Sequence, residues 1–179
     1  MSRVVLAEYQ PAWPSQFRAV AAELAEAFAG QGVRVAHIGS TSVPGLCAKP
    51  VLDVLLGAPR LSDIEARADA LLRIGYRYRP EVEDVLPERR YFVRAGGGGD
   101  GAASARLRVH LHGVVTGGVL WTRHLAFRDA LRADEAMRRD YDALKRRLAD
   151  WHRHDKAAYT AAKGPFVEAV LEAWRGVGR

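Results

Sequence analysis

The sequence predicts an α+β fold, a mixed β-sheet with flanking helices and a helical C-terminal extension. Three patterns carry that expectation. Apolar residues repeat at helical spacing near the start, short apolar or alternating runs fill the middle, and helical periodicity holds from Val119 onward. The 179 residues suit one unit spanning 1–179, with an α/β core over about 1–117 and the extension over about 118–179.

Taken in order, Phe17, Val20, Leu24 and Phe28 share one helical face. "PSQFRAVAAELAEAFAG" is therefore expected as an amphipathic helix closed by Gly30. "VRVAHI" alternates as a strand, and "PVLDVLLG" is a second, largely apolar one. "LSDIEARADALLRIG" predicts a helix with Ser62 and Glu65 as its capping box and Gly75 as its stop. "RRYFVR" and "RLRVHLHGVV" predict two further strands, and "AGGGGDGAASA" between them a mobile loop. In the extension, Tyr141, Leu144, Leu148 and Trp151 line one helix face. Tyr159, Ala162, Phe166 and Val170 line another, with Asp155 as the cap of the last helix.

Composition narrows the function classes. At 49% hydrophobic residues the chain can bury a sizeable core, yet no apolar run is long enough to cross a bilayer. The start lacks a secretory pattern, and a single cysteine, Cys47, cannot staple the fold. A cytoplasmic protein with no membrane partner is expected. The net charge of +6 invites a nucleic-acid reading. Against it, acids interleave the arginines of "MRRDYDALKRRLADWHRH", and no aromatic-basic alternation makes a stacking platform. Nucleic acid is disfavoured as a partner; a small anionic ligand explains the charge as well.

The chemistry concentrates in "HIGSTSVPGLCAKPVLDVLLG", residues 37–57. Gly39 ends a strand where backbone N–H groups can approach a ligand, and Ser40, Thr41 and Ser42 add hydroxyls, a plausible phosphate cradle. Asp53 stands in an apolar run, where an ionised acid needs a cation or donors. Lys49 is the candidate counter-charge, and the bland alternative is that Asp53 only fixes the turn. In "RLRVHLHGVV", period two puts His110 and His112 on one face. With Asp53 they could ligate zinc or a transition metal, act as a general base, donate to phosphate, or simply satisfy one another in the sheet. His37 could face the pocket or the core. Alternation sends Arg90, Phe92 and Arg94 to one face, which makes Arg90 a candidate phosphate clamp. Tyr159 and Lys163 share a helix face, whereas His124, His152 and His154 have no evident partner, and Cys47 reads as a packed thiol.

"HIGSTSVPGLCAKPVLDVLLG" resembles the signature of the GrpB family. The likeness extends to "YQPAWPSQF", "RRYFVR", "VHLH", "LAFRDALRAD", "YDALKRRLA" and "YTAAKGPFVEAV", nearly the whole chain. It implies a nucleotidyltransferase-like fold. Relatives of that family occur fused to dephospho-coenzyme A kinase. In the wider superfamily a Gly-Ser turn holds a triphosphate, and an Asp-x-Asp pair with a third carboxylate holds two magnesium ions. Carried over, Gly39 and Ser40 match the turn and Asp53 the first acid, while the second acid falls on Leu55. The resemblance also marks Arg128, Lys145 and Lys163 as motif residues, with a helical lid as the way a lysine reaches phosphate.

The expectation is a pocket for a nucleotide-like or phosphorylated ligand. Its catalytic set would be Asp53, His110 and His112, and its ligand-binding set Gly39, Ser40, Thr41, Lys49, Arg90 and Lys163. A divalent metal, magnesium or zinc-like, would sit on Asp53 and His112. Nucleotidyl or phosphoryl transfer to a small-molecule hydroxyl and an inactive nucleotide or coenzyme A-like binding module are the two functions carried forward.

Overall fold

The computed structural model describes residues 3–97 and 106–177. Its strands are β1 (Arg34–Ile38), β2 (Val51–Ala58), β3 (Tyr76–Tyr78), β4 (Arg90–Arg94) and β5 (Arg108–Val115). They form one sheet in the order β1-β2-β5-β4-β3. Only β2 and β5 run parallel; the other neighbours are antiparallel. The sheet is mixed, as expected. The three-residue β3 was not foreseen, because "YRY" is too short to show a period. Of the glycine-rich run expected as a mobile loop, residues 98–105 lie outside the described residues.

One face of the sheet carries the main core. Leu52, Val54 and Leu56 of β2, Val109 and Leu111 of β5 and Phe92 of β4 meet α1 (Trp13–Ala27), α2 (Leu61–Glu65) and α3 (Ala68–Arg73) there. Val20 and Leu24 of α1, with Phe28 just beyond it, supply the predicted apolar stripe. The expected single helix after β2 is broken into α2 and α3, and nothing in the residues at the break explains it. The capping expectation also shifts: Asp63, not Glu65, turns back to accept from the Arg60 N–H at 3.1 Å.

The second face is covered by the extension, α4 (Val119–Ala133), α5 (Glu135–Trp151), α6 (Lys156–Ala161) and α7 (Gly164–Val177). Leu120, Trp121 and Leu125 of α4 close over Ile38, Leu55 and Val114. Leu131, Tyr141, Phe127 and Phe166 enclose Val43 and Leu46, so the helices grip the segment that follows the Gly-Ser turn. α5 ties that segment by its backbone as well. Asp142 accepts the Cys47 N–H at 2.8 Å and Lys145 Nζ donates to the Cys47 carbonyl. Trp151, expected on the apolar face of α5, is 74% exposed at the helix end. Asp155 caps α6 rather than the last helix, accepting from Ala158 N–H at 2.9 Å. Among the described residues no helix is long and apolar enough to cross a membrane.

Trp121 reaches the sheet because residue 57 has no side chain. A Cβ on Gly57 would lie 2.6 Å from Thr116 Oγ1 and 2.6 Å from Trp121 Cζ3, closer than packed atoms tolerate. Gly57→Ala should cost about 1–3 kcal/mol of unfolding free energy in urea denaturation, as overpacking does; an unchanged midpoint would contradict this packing.

Candidate functional site

Gly39, at φ +67°, is the hinge of the turn, and a Cβ there would lie 2.5 Å from Asp53 Oδ2 and 2.9 Å from Asp53 Cβ. The chain leaving β1 thus rests directly on the Asp53 side chain, which only glycine allows. A single turn of 3-10 helix, Ser40–Ser42, follows. Ser42 N–H and Oγ both bond the Gly39 carbonyl, at 3.1 and 2.6 Å. From α4, Arg132 donates to the Ser42 carbonyl at 2.7 and 3.0 Å, and Arg128 donates to the His37 carbonyl at 3.1 Å. Arg128 is therefore a brace for the turn.

Thr41 is 1% exposed, and its hydroxyl already serves the fold. It donates to the Val51 carbonyl at 3.2 Å and so must accept from His37 Nε2 at 3.0 Å, which fixes the His37 tautomer. The His37 ring stacks on Phe17 of α1 with centroids 4.7 Å apart, so it belongs to the core and not to the pocket. Of the three turn hydroxyls, Ser40 alone lines the cavity without such a bond among the described residues.

The other half of the site comes from strand register. Asp53 pairs with His110, and Leu55 with His112, across the parallel β2–β5 ladder. Asp53 Oδ1 stands 3.4 Å from His110 Nδ1 and 3.5 Å from His112 Nε2. Arg89 Nη1 lies 3.4 Å from His112 Nδ1. A guanidinium only donates, so Nδ1 accepts and neutral His112 carries its proton on Nε2, facing Asp53. Burial pushes the Asp53 carboxyl up, but the hydrogen bonds from His110 and His112 outweigh it and hold Asp53 well below the usual carboxylate range. Burial lowers the His112 pKa despite Asp53. His124 of α4 packs against His112 at 5.6 Å between ring centroids and is pushed down to about 4, by burial first and then by His112.

These groups bound a cavity of about 370 Å³. Ser40, Asp53, His110 and His112 line it, with Arg89, just ahead of β4, and Tyr91 of β4 next to the two imidazoles. The helical extension supplies Lys145, Tyr159 and Lys163, joined by Lys49. Lys163 and Lys49 approach the Tyr159 ring, 4.6 and 5.3 Å from its centroid, within cation–π range. Lys145 is 1% exposed and lies against both Tyr141 and the Cys47 carbonyl. Burial brings Lys145 and Lys163 down to about 8.

Gly39, Ser40, Thr41, Lys49, Asp53, His110, His112 and Lys163 are therefore gathered in one place; Arg90 is not. Arg90 shares the face of Phe92 and is bound by Glu65, Glu83 and the Pro87 carbonyl beside α2. The arginine at the cavity is Arg89, which lies ahead of β4 and shares the Tyr91 side. Lys49 forms no ion pair with Asp53; the two imidazoles take that part. Among the described residues no group of three or more His, Cys, Asp and Glu side chains is arranged to hold a metal ion. The sequence reading missed Arg89, Tyr91 and His124. Tyr91 was findable, since it alternates with the apolar Phe92 and so must share the opposite face.

Two neutral imidazoles give a pH prediction. His37 and His124 fall from an ordinary 6.5 to about 4 in the fold, so the unfolded chain takes up protons first. Their contribution is complete above pH 6.5 and is lost as pH falls toward 4. The melting temperature should drop across that window, and less steeply in His124→Asn; a flat profile would contradict the burial of neutral rings.

Comparison with known proteins agrees with this architecture. The GrpB protein family model matches residues 3–173. The crystal structure of conserved protein GrpB from Enterococcus faecalis superposes with a TM-score of 0.81 at 33% identity, covering 98% of this chain and 100% of that one. A UPF0157 protein from Halalkalibacterium halodurans is 33% identical over 94% of this chain and 81% of its own length. A protein named dephospho-CoA kinase from Mycolicibacterium paratuberculosis is 31% identical over 92% of this chain, which spans only 44% of that longer protein. With the family pattern matched from residue 3 to residue 173 and the same fold in a solved relative, this chain belongs to the GrpB family.

Proposed function

We propose that the cavity binds a phosphorylated, nucleotide-like anion and serves nucleotidyl or phosphoryl transfer to a small-molecule hydroxyl. The observation that carries this reading is charge. Lys49, Arg89, Lys145 and Lys163 line a cavity whose one carboxylate, Asp53, is already met by two imidazoles. Cations in excess in a concave, half-enclosed site are what a phosphate group needs. The likeness to proteins named dephospho-CoA kinase supports a nucleotide-like ligand, although this chain covers under half of them.

The magnesium pair of the nucleotidyltransferase superfamily does not fit these residues. Leu55, at the second acid's position, is 0% exposed and sealed among Ile38 and Val114. In the proposed reaction the Asp53 carboxylate orients His110 through Nδ1, which leaves Nε2 to face the acceptor. The acceptor O–H gives its proton to Nε2 while its oxygen bonds to phosphorus. The bond from phosphorus to the leaving group breaks, and its electron pair departs on that phosphate. Asp53 then stabilises the imidazolium as a positioning residue.

Nucleoside triphosphate turnover with a panel of hydroxyl acceptors tests the chemistry. Asp53→Asn and His110→Gln should each lower it about 10²–10⁴-fold while ligand binding survives. Equal residual activity in wild type and both variants would sink the transfer step.

A second reading, a binding module without chemistry, is favoured by Leu55 alone. Both readings predict thermal stabilisation by a phosphorylated ligand. At one hundred times Kd it is about 2.7 kcal/mol, or roughly 5–10 °C for a chain of this size. Stabilisation without turnover selects the module, and no shift with any phosphorylated ligand would contradict both.

A further inference from the structure

Three lysines from three separate parts of the chain meet at one cavity wall. Lys49 precedes β2, Lys145 lies in α5, and Lys163 sits between α6 and α7. Among the described residues none of them is ion-paired with an acid. Arg89, beside His112 and Tyr91, also lines the cavity, its Nε buried and without a hydrogen-bond partner among the described residues. The charges that face Lys163 are Lys49 from the loop, Asp53 from β2 and Lys145 from α5, with the Tyr159 ring of α6 beneath it. Lys145 is received by the Cys47 carbonyl and the Tyr141 ring, but no acid answers the cluster as a whole, and a ligand bringing several negative charges would match it.

Phosphate-transfer sites commonly meet that need the other way round, with carboxylates holding magnesium and magnesium holding the phosphates. Here a single carboxylate, Asp53, lines the cavity, and the cations belong to the protein. Resting on the reading of the cavity as a phosphate-ligand site, we propose that the lysine cluster stands in for the metal. The site takes a metal-free di- or triphosphate group and discriminates against its magnesium complex. A bound magnesium ion would add charge to a wall that already carries an excess, and Asp53 is engaged by His110 and His112. A carboxylate or phosphodiester ligand, with one charge, would leave most of the wall unmatched.

The same geometry ties binding to a proton. Burial holds the Lys163 ammonium down to about 8, and Lys49 and Lys145 add to the effect. A polyanion set among the lysines reverses it, so Lys163 gains protonation when ligand binds near that pH.

Isothermal titration of the full chain with inorganic pyrophosphate, once in EDTA and once with magnesium in excess, tests the proposal. Binding should be at least about tenfold weaker with magnesium. Lys163→Met should lose about tenfold or more in affinity in EDTA. Lys163→Arg keeps the charge and should keep binding. Its proton uptake at pH 8, read from buffers of different ionisation enthalpy, should fall below that of wild type. Melting temperatures of the free variants separate lost binding from lost folding. Equal or tighter binding in magnesium would overturn the metal-free inference and leave the phosphate site standing. No binding in either condition would overturn both.

Discussion

The contact between the Gly39 backbone and the Asp53 side chain is the constraint on which the site depends. It sets the turn against β2 at a distance that excludes any Cβ, on the face where strand alternation puts Asp53, opposite core residues Leu52 and Val54. Parallel pairing then brings His110 directly opposite, with His112 two residues on along the same face. Asp53, 32% exposed in an apolar strand, is held below the usual carboxylate range by hydrogen bonds from two imidazoles. Arg89, beyond them, fixes which nitrogen of His112 carries the proton.

The extension supplies the opposite charge. α4 braces the turn carbonyls through Arg128 and Arg132, and α5 holds the Cys47 backbone through Asp142 and Lys145. The helices that complete the cavity are therefore anchored to the same segment that builds its floor. Lys145 illustrates the economy of the arrangement, since one ammonium group both ties α5 to that segment and lines the site. Its burial is tolerated because a carbonyl and an aromatic face receive it.

Much of this was legible in the chain. Period two placed His110 and His112 on a common face, and the Gly-Ser turn with its lone acid marked the site. Local patterns could not give the rest. Arg89 and Arg90 are adjacent; alternation puts Arg90 with Phe92, and the pairing of Tyr91 with His112 then shows that the face shared with Tyr91 is the one turned to the cavity. The capping box falls on Arg60 and Asp63, two residues ahead of Ser62 and Glu65, a shift within the spread of helix boundaries. Lys49, Lys145 and Lys163 are spread over more than a hundred residues; the family resemblance marked Lys145 and Lys163, and tertiary packing brings all three together. The broken α2–α3 helix carries no residue signal at all.

The central claim is spatial: the lysine wall and the Asp53–imidazole side bound one anion site. A crystal of the protein soaked with tungstate, a phosphate mimic with strong anomalous scattering, tests it most directly. The account predicts a single strong peak between Lys49, Lys163 and Arg89, on the same side of the sheet as His110. Peaks confined to surface arginines, with the cavity filled only by water, would contradict it.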